Sequence, residues 1–188
     1  MPLKILTTLS LALLLSAAAL VAPALAEDSN TLRIGTPEAS QPQDNPQAAA
    51  RAAFERGDYA AAAKILEPLA WAGDASAQYN LGVLYGNGQG VTRDAAKAAG
   101  WYEKAARQGN ALAQLNLGAM YRQGDGVPQD YARSYMWLEL SKSGLSGMEA
   151  HQADHYGKEV ARLMTSEQLQ DAEDMIENCK LAGVRNCD

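Results

Sequence analysis

The sequence repeats itself at a fixed interval of 36 residues, and that repeat narrows the possible folds more than any other feature. Ala75–Asn110 laid above Ala111–Ser146 aligns without a gap. Ala77-Gln78 falls on Ala113-Gln114, Asn80-Leu81-Gly82 on Asn116-Leu117-Gly118, and Tyr85 on Tyr121. Gly88, Gly90 and Val91 fall on Gly124, Gly126 and Val127, Asp94 on Asp130, and Trp101 on Trp137. A shorter, degenerate copy precedes them at 45–74, with Ile65 at the Trp position and Gly73 at the position of Gly109. Self-similarity at this period belongs to solenoids, in which each unit buries its apolar face only by stacking on its neighbours.

Within a unit the apolar spacing is helical. Ala77, Leu81 and Leu84 recur at i, i+4 and i+7. Asp94 and Asp130 stand as N-caps of a second helix, and Trp101 and Trp137 lie on its inner face to fill the gap between units. Gly82 and Gly118 interrupt a helix, which costs propensity; a close approach by the backbone of the paired helix is the expected reason. Composition agrees. The chain is 47% hydrophobic, yet 36 of its 188 residues are Ala and β-branched residues are scarce. That mixture favours helices and disfavours a sheet, so the expected class is all-α: helix–turn–helix repeats stacked into a superhelix. The small residues let helices approach closely and imply a thin, extended core.

The flanks differ from the repeats. Lys4, the apolar run Ile5–Val21 and Ala24-Leu25-Ala26 form a secretory signal peptide at 1–26, with cleavage expected between Ala26 and Glu27 and export to a periplasm or beyond. No later segment is long and apolar enough to span a membrane. Residues 27–44 are polar and Pro-containing and read as a disordered linker. Asn45-Pro46 opens the first helix. Residues 147–188 read as C-terminal capping helices and tail: Ser146–Glu149 and Thr165–Gln168 each have the capping-box pattern. Cys179 and Cys187 are the only cysteines and, in an oxidising compartment, are expected to close one short disulfide loop.

The repeated residues resemble the Sel1-like repeat family, relatives of the tetratricopeptide repeats. The family pattern A-x-A-Q-x-x-L-G-x-x-Y, G-x-G-V-x-x-D, A-x-x-W and A-A-x-x-G stands complete over Ala75–Gly109. It stands again in the next unit, where Ser134, Ser141 and Lys142 replace small Ala positions, which suggests looser packing there. The resemblance covers roughly Ala48–Gly147. It implies a right-handed superhelix with a concave face, and binding and scaffolding rather than catalysis, often in envelope signalling, secretion or surface-polysaccharide control. By the same analogy the concave face presents Ser76, Tyr79 and Val83 from one unit and Leu112, Leu115, Ala119 and Arg122 from the next. Apolar centres beside an Arg suit an extended or helical peptide. Gly82, Tyr85, Trp101, Gly118, Tyr121 and Trp137 are the structural positions. Asn80 and Asn116 are expected to make structural hydrogen bonds.

Other chemistries find little support. His151 and His155 lie at i, i+4 on one helix, but H-x-x-D-H lacks a third ligand for Zn²⁺, and a solvated face is the better reading. Gly86–Gly90 is glycine-rich but has no Gly-Lys-Ser/Thr ending and no preceding strand, so it is an inter-helix turn. Sixteen Lys and Arg against 22 Asp and Glu leave a formal charge of −6, which disfavours nucleic acid. No cofactor is implied. The expected function is an envelope adaptor or scaffold that binds a protein or peptide partner. The alternative is a ligand-binding or weakly hydrolytic protein acting on peptidoglycan, β-lactam or polysaccharide, although S-x-x-K, K-T-G and G-x-S-x-G motifs are all missing.

Overall fold

The computed structural model describes residues 45–184 and Cys187. The leader at 1–26 with its cleavage site, and the linker at 27–44, lie outside the described residues. The described chain forms eight α-helices and no strand. They are α1 (Pro46–Glu55), α2 (Tyr59–Trp71), α3 (Ala75–Asn87), α4 (Ala95–Ala106), α5 (Ala111–Gln123), α6 (Tyr131–Ser141), α7 (Gly147–Leu163) and α8 (Ser166–Ala182). The first six pack as three successive antiparallel hairpins, each resting on the one before, which is a helical solenoid.

Every repeat helix begins on an Asp or Asn cap. Asn45 accepts from the backbone N–H of Gln47 and Ala48, Asp94 from Lys97 and Asp130 from Arg133, as the sequence implies. Asp58, Asp74 and Asn110 do the same for α2, α3 and α5. Each cap satisfies a backbone donor that the helix leaves open and contributes about 1 kcal/mol.

The hairpins are joined by a buried glutamine. Gln78 Nε2 donates to the Ala70 carbonyl at 3.0 Å, and 36 residues later Gln114 Nε2 donates to the Ala106 carbonyl at 3.1 Å. Both side chains are almost fully buried. Each bond ties the start of one hairpin to the carbonyl end of the preceding one. A second contact sits at the opposite end of the units. A Cβ on Gly90 would lie 2.3 Å from the backbone of Tyr59, and one on Gly126 would lie 2.3 Å from the backbone of Ala95. Only glycine lets each turn press on the first residues of the previous unit's second helix.

The reason for Gly82 and Gly118 differs only in part from the expected one. A Cβ on Gly82 would meet the Tyr102 ring at 2.7 Å, and one on Gly118 would meet Leu138 Cγ at 2.8 Å. At Gly82 a side chain rather than the partner backbone occupies the space, whereas at Gly118 the backbone N of Leu138 on α6 also comes within 3.2 Å, as expected. Trp101 is buried in one cluster with residues of α1, α2 and α3 and meets the Trp71 ring, and Trp137 is buried in another with residues of α4, α5 and α8, so both stand in the core between units. Tyr85 and Tyr121 carry a recurring cation: Lys97 lies over the first ring and Arg133 over the second.

The second unit is not loosened. Ser134 and Ser141 are fully buried, and their hydroxyls donate to the Gly118 and Leu138 carbonyls at 2.7 Å. Serine is close to alanine in size, and each hydroxyl finds an acceptor, so the substitution keeps the packing. Lys142 pairs with Glu139 and reaches Asp154 on α7.

The last two helices both pack on α6 rather than on each other. The box expected at Thr165–Gln168 is formed in both directions. The one expected at Ser146–Glu149 is not: Ser146 makes no side-chain bond to the helix, because Gly147 turns the chain with φ +61° at this entry. Cys179 and Cys187 are joined by a disulfide and are buried against Met136 and Trp137, which holds the tail on the solenoid.

Two glycines in the same hairpin provide a stability test. Gly82→Ala is expected to destabilise by about 1–3 kcal/mol, because the Tyr102 ring must move. A Cβ on Gly100 in α4 meets nothing within 4 Å. Gly100→Ala is therefore expected to stabilise by about 0.5–1 kcal/mol. Urea-unfolding midpoints measure both.

Candidate binding groove

The helices α3 and α5 are both seated on α4, and a hollow of about 370 Å³ opens between them. Val83, Ala98, Ala119 and Met120 form its apolar surface, and Tyr79, Tyr102 and Asn116 bring polar groups to it. The Tyr79 and Tyr102 rings lie 6.0 Å apart, centroid to centroid. The Asn116 amide faces the same hollow as both phenols, and its interaction with them opposes the rise of their pKa values. Asp125 stands at the edge, paired with Arg93 at 2.9 Å. The arrangement is that of a peptide site: apolar floor, few convergent polar groups, and open access.

The seven residues expected on the concave face do not share one surface. Tyr79, Val83 and Ala119 line this hollow together. Ser76 lines a separate one of about 430 Å³ between α1 and α3, with Arg51, Phe54 and Asn80. Leu112 is 37% exposed. Leu115 and Arg122 are corrected. Leu115 is only 4% exposed and packs with Leu138, Ala153 and Val160 under α7. Arg122 bonds Glu159 of α7 and lies 4.1 Å from the Tyr156 ring centroid. The protein's own capping helix occupies the place where a partner was expected.

The sequence reading missed Tyr102 and Met120. Tyr102 faces Gly82, and a large residue 20 positions after a helical glycine was a usable signal, since Leu138 stands in the same relation to Gly118. Asn116 turns to the groove rather than to the frame; the glutamines beside it make the structural bonds. His151 and His155 are exposed on α7, and His155 lies 3.6 Å from Glu159. Among the described residues no group of three or more His, Cys, Asp and Glu could hold a metal ion, and no helix is long and apolar enough to cross a membrane.

The groove phenols are held neutral. Burial pushes the Tyr102 hydroxyl up to about 12 from 10.0, and nearby Tyr79 adds to the shift against the opposing Asn116 amide. Burial raises Tyr79 as well. The folded state therefore keeps the Tyr102 proton after the unfolded chain has lost it. This contribution to stability is complete below pH 10.0 and falls away as pH rises towards 12. Urea unfolding followed across that interval should lose stability in the native protein, and Tyr102→Phe should flatten the loss.

Comparison with known proteins agrees with this architecture. The Sel1 repeat model matches residues 75–110 and 111–143. Sel1 repeat proteins generally mediate protein–protein interaction. No curated protein sequence matches this chain. Among solved structures, c5321, a protective antigen of uropathogenic Escherichia coli strains displaying an SLR fold, aligns at 30% identity and a TM-score of 0.64. The alignment covers 72% of this chain but 30% of that one. A Sel1 repeat protein from Oxalobacter formigenes aligns at 23% identity and a TM-score of 0.51, over 77% of this chain and 66% of that one, and shares the fold. The chain thus carries two Sel1 repeats in register, at 75–110 and 111–143, within a solenoid of the kind that SLR-fold proteins display, consistent with the Sel1-like repeat family.

Proposed function

We propose that the protein is an exported adaptor that holds a peptide segment of a cell-envelope partner in the hollow between α3 and α5. The observation that carries this reading is the hollow itself, where Tyr79, Tyr102 and Asn116 converge over Val83, Ala98, Ala119 and Met120. A rigid groove reduces the ordering cost of binding, and aromatic side chains anchor it with few rotamers to freeze. The groove is lined by no Ser, Cys, Lys or His, and its one carboxylate, Asp125, is paired with Arg93, so its lining holds neither a Ser or Cys nucleophile beside a base nor a pair of carboxylates. This favours binding over hydrolysis of β-lactam, peptidoglycan or polysaccharide.

Export is supported by the leader pattern at 1–26 and by the disulfide, which suits an oxidising compartment. On this reading 27–44 is a tether, 45–147 the binding solenoid and 147–188 its cap. Protein recovered from the envelope should then begin at Glu27 by N-terminal sequencing.

The groove is tested by placing a benzophenone amino acid at position 119 in cells. Ala119 lines the hollow, and Gln170 is exposed on α8. A crosslinked partner is expected from position 119. Ala119→Arg, which fills the hollow, should weaken that partner's binding by at least about tenfold. Crosslinks from position 170 alone would overturn the assignment.

A further inference from the structure

A third hollow, of about 470 Å³, lies between α5 and α7 and is lined by Arg122, Gln123, Tyr131, Glu159, Arg162 and Leu163. Its charges do not balance. Two guanidinium groups share it with one carboxylate. One oxygen of Glu159 accepts from Arg122 Nη1, and the other lies 3.6 Å from His155. Arg122 Nε is buried and has no acceptor. Arg162 has no ion-pair partner among the described residues. Arg122 and Arg162 stand in the last turns of α5 and α7, where the carbonyl ends of the helices favour a cation. Beside them Leu163 is 59% exposed, a large apolar side chain without cover. A guanidinium presents its donors in a planar fork that matches a carboxylate.

We propose that this hollow binds a carboxylate carried next to an apolar side chain, as at the end of a peptide or at an acidic residue within one. The carboxylate supplies the acceptor that Arg162 lacks and adds to the one that Arg122 has in Glu159, and the apolar group covers Leu163 and the Tyr131 ring. The exposed leucine favours a peptide over an acidic sugar, which has no comparable apolar group to place there. The site is separate from the hollow between α3 and α5. Loss of partner binding in Ala119→Arg therefore neither requires nor excludes it, and the two ideas fail independently.

The test uses the ¹⁵N-labelled protein as the cell produces it, with four small probes followed through the arginine Nε–H resonances. The probes are N-acetyl-leucine, N-acetyl-leucinamide, N-acetyl-glutamyl-leucinamide, and a galacturonic acid trimer. N-acetyl-leucine should shift the Arg122 and Arg162 signals saturably, and N-acetyl-leucinamide should leave them in place. Arg162→Gln, on an exposed position with no protein partner to lose, should weaken the response by at least about tenfold. Leu163→Ser should weaken it several-fold, and a thermal unfolding curve checks that both variants fold. An equal response to N-acetyl-glutamyl-leucinamide, whose only carboxylate is on a side chain beside the leucine, supports the site and names side chains as its source; a weaker one supports it and names the chain end. Equal shifts with N-acetyl-leucinamide, a stronger response to the sugar trimer, or no saturable shift from either carboxylate probe would each overturn the proposal.

Discussion

The amide of a buried glutamine governs how one hairpin meets the next. Gln78 and Gln114 each reach back eight residues to the carbonyl that ends the preceding helix, at Ala70 and Ala106. In a dry joint an unmatched amide or carbonyl costs more than the bond itself contributes, so few other arrangements of the two hairpins are tolerated. At the far end of the units, the Gly90 and Gly126 turns press on the backbone of the previous unit. Two fixed points per junction set the stacking. That stacking seats α3 and α5 on α4 with a space between them, and the floor of the space is made by Ala98 and Tyr102.

The C-terminal helices end this regularity and also shape the binding surface. A solenoid must cover its last apolar edge. Here α7 does so by taking Leu115 into a cluster with Leu138, Ala153 and Val160, and by pairing Glu159 with Arg122. The groove that would continue along α5 is thereby interrupted, and a second, cationic hollow replaces it. The other capping helix, α8, buries Ile176 and Cys179 in the cluster that holds Trp137, and the disulfide to Cys187 ties the tail back to that helix.

Most of the frame could be read from the chain. The helix pairs, the Asp94 and Asp130 caps, the Thr165–Gln168 box and the burial of Trp101 and Trp137 depend on contacts within one or two units, and such contacts leave a mark at fixed spacing. The readings that failed turned on the direction of backbone groups, which the side-chain letters do not record. Serine at 134 and 141 looked like a loss of packing because its acceptors, the Gly118 and Leu138 carbonyls, carry no signature in the sequence. Ser146 has the letters of a box but meets a chain that turns at Gly147.

The sequence alone determined the period, the hairpins and their caps, because the same few residues must solve the same local problem every 36 positions. It also marked one helix face as partly apolar. Only the tertiary structure decided what covers that face. Val83 and Ala119 remain at an open hollow, while Leu115 and Arg122 are claimed by α7, a helix that repeats nothing before it. Hydrophobic spacing reports that a surface gains from leaving water, and it carries no information on whether the chain's own helix or another molecule will cover it.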